Sequence, residues 1–178
     1  MAFIGLSRPK SQIMSALVTA GQTVPQSSAL AANEGLRVVA FIRHIGCPFA
    51  ENTVKQLRVW AEQHPQVAVF IVSHGNASQS TTWINALGGL GRLRLVIDTQ
   101  RELHAKWGVG FSNFWHFAGP SSLLGVAALL FKGIRNRSAA GTRWQRAAIF
   151  LLNGECVIWS HVPRSAQEFE LPPEPILL

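Results

Sequence analysis

Cysteine is scarce in this chain: Cys47 and Cys156 are the only two among 178 residues. That excludes a disulfide-built scaffold and argues for a reducing compartment, so a cytoplasmic location is expected. No Cys/His cluster has the spacing of a zinc site, and no metal is expected. Charge is sparse as well, at 14% of residues. The net charge of +7 favours anions, yet the chain has no long Lys/Arg tract and no nucleic-acid motif, so nucleic acid is not an expected partner. No apolar run reaches the roughly 20 residues that cross a bilayer. The most apolar stretch, Ser121 to Phe131, falls well short, and no transmembrane segment is expected. The first residues lack a long h-region with a cleavage site, which argues against secretion but leaves a mitochondrial leader open.

What is present is apolar material for one domain with a sizeable core, 48% of the chain. It is organised around Arg37 to Trp60. Val38 to Ile42 is a continuous apolar run, as expected of a strand buried on both faces of a parallel sheet. Arg43 to Gly46 makes a turn. Pro48 suits the first helical position, where its missing N–H costs nothing, so Cys47 falls at the N-cap of a helix that runs to His64 and stops at Pro65. A thiolate at such a place receives unpaired backbone N–H groups and the positive end of the helix dipole. Cysteines so placed have pKa values of roughly 3.5–7.5 in place of about 8.5. The plainer reading is a small buried hydrophobe.

On that helix Ala50, Val54, Leu57 and Ala61 share one face, which is expected to pack on the sheet. Gln66 to Val72 and Leu93 to Ile97 read as further strands. Between them Ser78 or Ser80 caps a helix ended by Gly88-Gly89, and Asp98 or Thr99 caps another that reaches Trp107. Val109 to Gly119 has no clean period and reads as an ordered loop. Pro120-Ser121-Ser122 opens an apolar helix to Ile134, expected to pack on the sheet or a partner chain, with a lipid-facing role as the alternative. Ala147–Leu152 and Cys156–His161 are strands joined by Asn153-Gly154, a strong hairpin signal. Residues 1–36 are an irregular lead-in with a short hairpin near Gly21 and a helix from Ser27 or Ser28 through Ala32. Residues 37–162 form the domain, with an insertion at 109–137, and 163–178 is a Pro-rich tail. The alternation predicts an α/β sandwich whose first three strands are parallel.

The stretch FIRHIGCPFAENT, followed in order by WGVGFSNFWHFAGPSSL, GIRNR and GTRWQRAAIFLLNGECVIWSH, resembles the peroxiredoxin-like proteins of the alkyl hydroperoxide reductase and thiol-specific antioxidant superfamily, closest to the peroxiredoxin-like 2 branch and its fungal relatives. The resemblance implies a thioredoxin-like three-layer sandwich with a central mixed sheet of about five strands. The hairpin would add beside the Arg37 strand, its first strand antiparallel. It also implies a thiol enzyme that reduces a peroxide or endoperoxide. This chain departs from the pattern twice. Ala50 stands where the redox-active branch has its second cysteine, and Ala40 and His44 replace the proline and threonine of Pro-x-x-x-Thr-x-x-Cys.

In open α/β sheets the site lies beyond the carboxyl ends of the parallel strands, which here gathers Arg43, His44, Cys47, Ser73 and His74. With the implied hairpin, Arg143, Trp144, Arg146 and His161 join them. The catalytic set is Cys47, His44 and Arg146, with Arg43 or Arg143 as alternatives for the arginine, as the resemblance places an arginine against the thiolate. His44 could take the thiol proton or bond a bound oxygen; otherwise it is a solvent-facing turn residue. Substrate contacts are expected from Arg43, Pro48, Phe49, His74, Trp115, His116 and Trp144. Trp107, Phe111 and Phe114 join Trp115 as an apolar wall or as core. Glu51 is expected to serve as a helix cap. Cys156 lies about 20 Å away at the other pole and is expected to be structural.

No bound cofactor is expected; an external thiol reductant such as glutathione or thioredoxin would restore the cysteine. Partners are a small-molecule peroxide or apolar substrate and, on the chain's own surface, a homodimer. Two alternatives use the same fold: non-redox chemistry (isomerase, cyclase or lyase) on an apolar small molecule, and a non-catalytic binding module.

Overall fold

The computed structural model describes residues 12–30, 35–134, 137 and 139–175. The expected end of the lead-in helix at Ala32 lies outside them, as does Arg135. Strand β1 (Leu36–Phe41) occupies the middle of a five-stranded sheet. It pairs in parallel with β2 (Ala68–Ser73) and antiparallel with β4 (Ala148–Asn153). The edges are β3 (Arg94–Ile97), parallel to β2, and β5 (Cys156–His161), antiparallel to β4. The order β3-β2-β1-β4-β5 is the expected thioredoxin-like α/β arrangement. Asn153-Gly154 does close the hairpin, with Gly154 at φ 56°, the left-handed conformation such turns require.

Helix α1 (Pro48–Gln63) lies on one face of the sheet and buries Ala50, Val54, Leu57 and Ala61 as its spacing predicts, together with Trp60. Helix α2 (Ala77–Ala86) covers the same face through Trp83 and Ile84. Its cap is Asn76, whose side chain accepts from the Gln79 N–H, and not Ser78 or Ser80. Ser80 is buried and bonds the Ser73 hydroxyl. The other face carries Trp107, packed against Phe41 and Phe150 at ring distances of 5.3 and 5.1 Å. Trp107 is therefore a core residue and not part of a substrate wall.

The lead-in is less idle than its composition suggests. Val18, Val24 and Leu30 enter the second core, and the backbone of Gly21, Gln22 and Val24 bonds Val157 and Glu155 along the outer side of β5. An exposed strand edge is thereby covered. Among the described residues the expected lead-in helix shows one turn, Ser28–Leu30.

Three further helices differ from expectation in extent. Helix α3 (Glu102–Lys106) begins later than Asp98 or Thr99 would start it, after Arg101 at φ 59°, but the Asp98 carboxylate still accepts a first-turn N–H of this helix, that of His104. The Val109–Gly119 stretch contains a short helix α4 (Phe114–Ala118), capped by the Asn113 side chain. Helix α5 (Pro120–Phe131) follows almost at once and packs against α1.

Candidate active site

Gly46 adopts φ 83° and turns the chain from β1 into α1. Cys47, extended at φ −71° and ψ 127°, is the N-cap, with Pro48 opening the first turn. The loop is held from both sides: the Cys47 N–H donates to His44 O at 3.2 Å, while the N–H groups of Arg137 and Ala140 donate to Gly46 O and Ile45 O. Cys47 is 3% exposed. Its side chain forms no capping bond, so the first-turn N–H groups remain aimed at the sulfur's end of the helix.

Arg43, His44, Cys47 and Arg143 form the polar floor of an open cleft of about 290 Å³. Pro48, Phe49, Phe114, Ala118, Leu123 and Val126 form its apolar wall. Arg43 is buried and donates from Nη2 to the Arg143 carbonyl at 3.2 Å, which ties the Arg43 side chain to the Arg143 backbone. His44 is buried, not solvent-facing, and among the described residues neither ring nitrogen has a hydrogen-bond partner. Burial holds its pKa well below 6.5, helped by the charges of Arg43 and Arg143 and by His74. It is a neutral imidazole with one donor and one acceptor free for a ligand.

Arg146 sits elsewhere. Its Nη2 donates to Pro163 O, and its side chain lines a separate cleft with Phe111, Ser112, Asn113, His116 and Arg164. Among the described residues the arginines that line the Cys47 cleft are Arg43 and Arg143, and Arg146, expected there, lines the other cleft instead. Trp144 engages Ser112 through its carbonyl, and no described atom of it lines the Cys47 cleft. His116 is buried, with Nδ1 3.0 Å from Arg164 O; burial first, then Arg43 and Arg146, lower its pKa to about 4. With His161 it borders a neighbouring cleft, which shares Arg43 and Phe49 with the Cys47 cleft. Trp115 points outward and is 70% exposed. His74 lies behind the floor, accepts from the Thr142 N–H at Nε2, and is pressed against Gly141, where a Cβ would come within 2.6 Å of its ring.

Two features escaped the sequence. Asp98 and His104 form a buried pair, Oδ2 and Nδ1 2.6 Å apart, with the His104 ring edge-on to His74. Only a spacing of six residues across a turn connects them, and no motif marks it. Glu51 is buried and is bonded by Lys55 Nζ at 2.7 Å and Arg137 Nε at 3.2 Å, so its role is an internal ion-pair junction and not a cap. The Lys55 half was visible as an i,i+4 pair; the Arg137 half was not. Cys156 is exposed at the opposite end of the sheet, bridged through its backbone to Thr23, and is no core residue.

A model of the AhpC/TSA antioxidant enzyme family matches residues 56–165, more than half of the chain. The chain belongs to that family. The match begins after Cys47 and covers α1 beyond its first turns through the hairpin, so the thiol end of the site rests on the geometry above. Solved structures agree on the fold. The chain is similar to a thiol peroxidase from Chromobacterium violaceum, at 14% identity over 88% of this chain and 83% of that one, with a TM-score of 0.60. It is similar to a peroxiredoxin-like protein from Aquifex aeolicus, at 14% identity over 92% and 82% of the two chains and a TM-score of 0.55. It is also similar to the peroxidoxin BcpB from Mycobacterium tuberculosis, at 12% identity over 84% and 89% and a TM-score of 0.57. No curated protein matches it.

Proposed function

We propose that this AhpC/TSA family member is a one-cysteine thiol peroxidase acting on apolar hydroperoxides. The observation that carries the reading is Cys47 at the N-terminus of α1, on a floor with Arg43, His44 and Arg143 beneath an apolar wall. The Cys47 thiolate attacks the outer oxygen of R–O–OH. An S–O bond forms as the O–O bond breaks, the sulfur loses two electrons to become a sulfenic acid, and the departing oxygen takes a proton to leave as R–OH. Arg143 stabilises the negative charge developing on that oxygen, and the neutral His44 ring supplies a donor where relatives of the Thr-x-x-Cys pattern have a hydroxyl.

With Ala50 in the resolving position and Cys156 at the far pole, the electrons return from outside. One external thiol forms a mixed disulfide with Cys47 and releases water; a second displaces Cys47 as a thiol and leaves as a disulfide. The sum is ROOH plus two thiols giving ROH, a disulfide and water. Consumption of cumene hydroperoxide with glutathione or thioredoxin, abolished by Cys47→Ser and accompanied by dimedone trapping at Cys47, is the expected result. Consumption unchanged by Cys47→Ser overturns the reading.

One observation favours a second reading. A buried neutral histidine with both nitrogens unpartnered beside a nucleophile also suits acid–base chemistry on an apolar substrate without redox change. That reading requires a Cys47 that peroxides leave unoxidised.

A further inference from the structure

From Leu103 to Gly154 the chain has no Asp or Glu but six basic residues: Lys106, Lys132, Arg135, Arg137, Arg143 and Arg146. Within this stretch α5 carries no charged residue at all, yet much of it is not core. Leu124 is 72% exposed and Phe131 93%, with Leu123 beside them; Trp115 of α4 adds its ring next to Phe114. A contiguous exposed apolar face of this kind marks an interaction surface. It is also continuous with the Cys47 cleft, since Phe114 and Leu123 belong to both the cleft wall and the outer face. The charges around it are mostly basic, with Glu168, which accepts the Arg164 N–H, an acidic side chain beside them. Lys132 ends α5, Arg143 stands in the cleft, and Arg146 and Arg164 flank Asn113 at the start of α4. Glu51, on the helix that carries Cys47, is buried and already paired with Lys55 and Arg137.

We propose that the α4–α5 face docks on an anionic lipid surface and that the cleft receives an acyl-chain hydroperoxide from it. An apolar helix face with an exposed tryptophan and a basic rim is the chemistry that binds such surfaces: the rings and leucines enter the headgroup boundary while Lys and Arg meet the lipid phosphates and carboxylates. A second copy of the chain fits less well. A two-fold contact on this face would set Lys132, Arg143, Arg146 and Arg164 against themselves, with Glu168 beside Arg164 offsetting them only in part. The delivery of substrate rests on the thiol peroxidase reading; the docking does not.

Flotation with phosphatidylcholine vesicles, with and without phosphatidylserine, tests the docking at low and high salt. Binding to the serine-containing vesicles alone, weakened by salt and reduced at least about tenfold in Leu124→Glu/Phe131→Glu, is expected. Cys47→Ser should bind as the wild type. The double variant, altered outside the cleft, should reduce cumene hydroperoxide normally and phosphatidylcholine hydroperoxide in vesicles slowly. No binding to anionic vesicles, equal binding to phosphatidylcholine alone, or a wild-type dimer that the double variant dissociates overturns docking. Wild-type rates of the double variant on vesicle-borne hydroperoxide overturn delivery. Loss of all Cys47-dependent reduction with binding intact overturns delivery and the peroxidase reading while docking stands.

Discussion

The Asp98 carboxylate receives both the backbone N–H and the Nδ1 of His104, at 3.0 and 2.6 Å, inside the sheet face that backs the thiol floor. The two bonds fix the His104 ring against Phe41 and edge-on to His74, whose own ring touches the Gly141 turn. Thr142 and Arg143 follow that turn, so the pair sits beneath the segment that brings Arg143 to the cleft.

Asp98→Asn should therefore cost stability. The amide keeps the shape but loses the charge-assisted bonds, which predicts a loss of about 1–3 kcal/mol in urea unfolding. An unchanged midpoint would show that the pair contributes nothing net.

Acid should destabilise the fold earlier than carboxylate titration alone would. Burial lowers the pKa of His44, His74 and His104, and of His116, with His74 at about 3 and His116 at about 4. Below their ordinary value near 6.5 the unfolded chain binds protons at these sites and the native chain does not. Stability is thus full above pH 6.5 and falls as pH drops towards 4 and then 3. His64 works in the opposite sense: burial lowers its pKa, but Glu174 and the Trp60 carbonyl outweigh that and raise it. Thermal melts from pH 7.5 to 4.5 should show a falling midpoint; a flat profile through pH 5 contradicts the neutral histidines.

Peroxide should modify Cys47 without producing an intramolecular disulfide. Cys156 begins β5 opposite Asn153, at the pole away from the carboxyl end of β1. Peptide mass spectrometry of non-reduced digests should find Cys47 sulfenic acid or its mixed disulfide, and Cys156→Ser should retain activity. A Cys47–Cys156 bridge would contradict the sheet order.

The two candidate arginines can be separated. Arg143→Met should lower the rate of Cys47 oxidation by about 100-fold or more, the usual effect of losing one positioned donor, whereas Arg146→Met should change it little. Stopped-flow oxidation of each variant by cumene hydroperoxide checks this, and the reverse pattern would return the role to Arg146.

Much of this protein can be read along the chain because its signals are local. The apolar run of β1, the Cys47-Pro48 start of α1, the i, i+4, i+7 face of that helix and the Asn153-Gly154 hairpin each depend on neighbours within a few residues, and each stands where its pattern predicts. The alternation of elements also sufficed for the parallel order of the first three strands. Polar partnership was not legible, because a hydrogen bond or ion pair across the fold leaves no periodic trace. Asp98 accepts a first-turn N–H of α3 as a cap would, but its second bond, to the His104 ring, left no trace in the sequence, and Asn76 took the cap assigned to Ser78 or Ser80. The arginine at the thiol shows the limit most clearly. Arg143 and Arg146 both lie ahead of β4, in the segment after the Gly141 turn, so which of them lines the Cys47 cleft depends on how that segment packs, including the approach of Gly141 to His74. Sequence by itself determined which elements form and where the cysteine lies; only their packing decided which charges surround it.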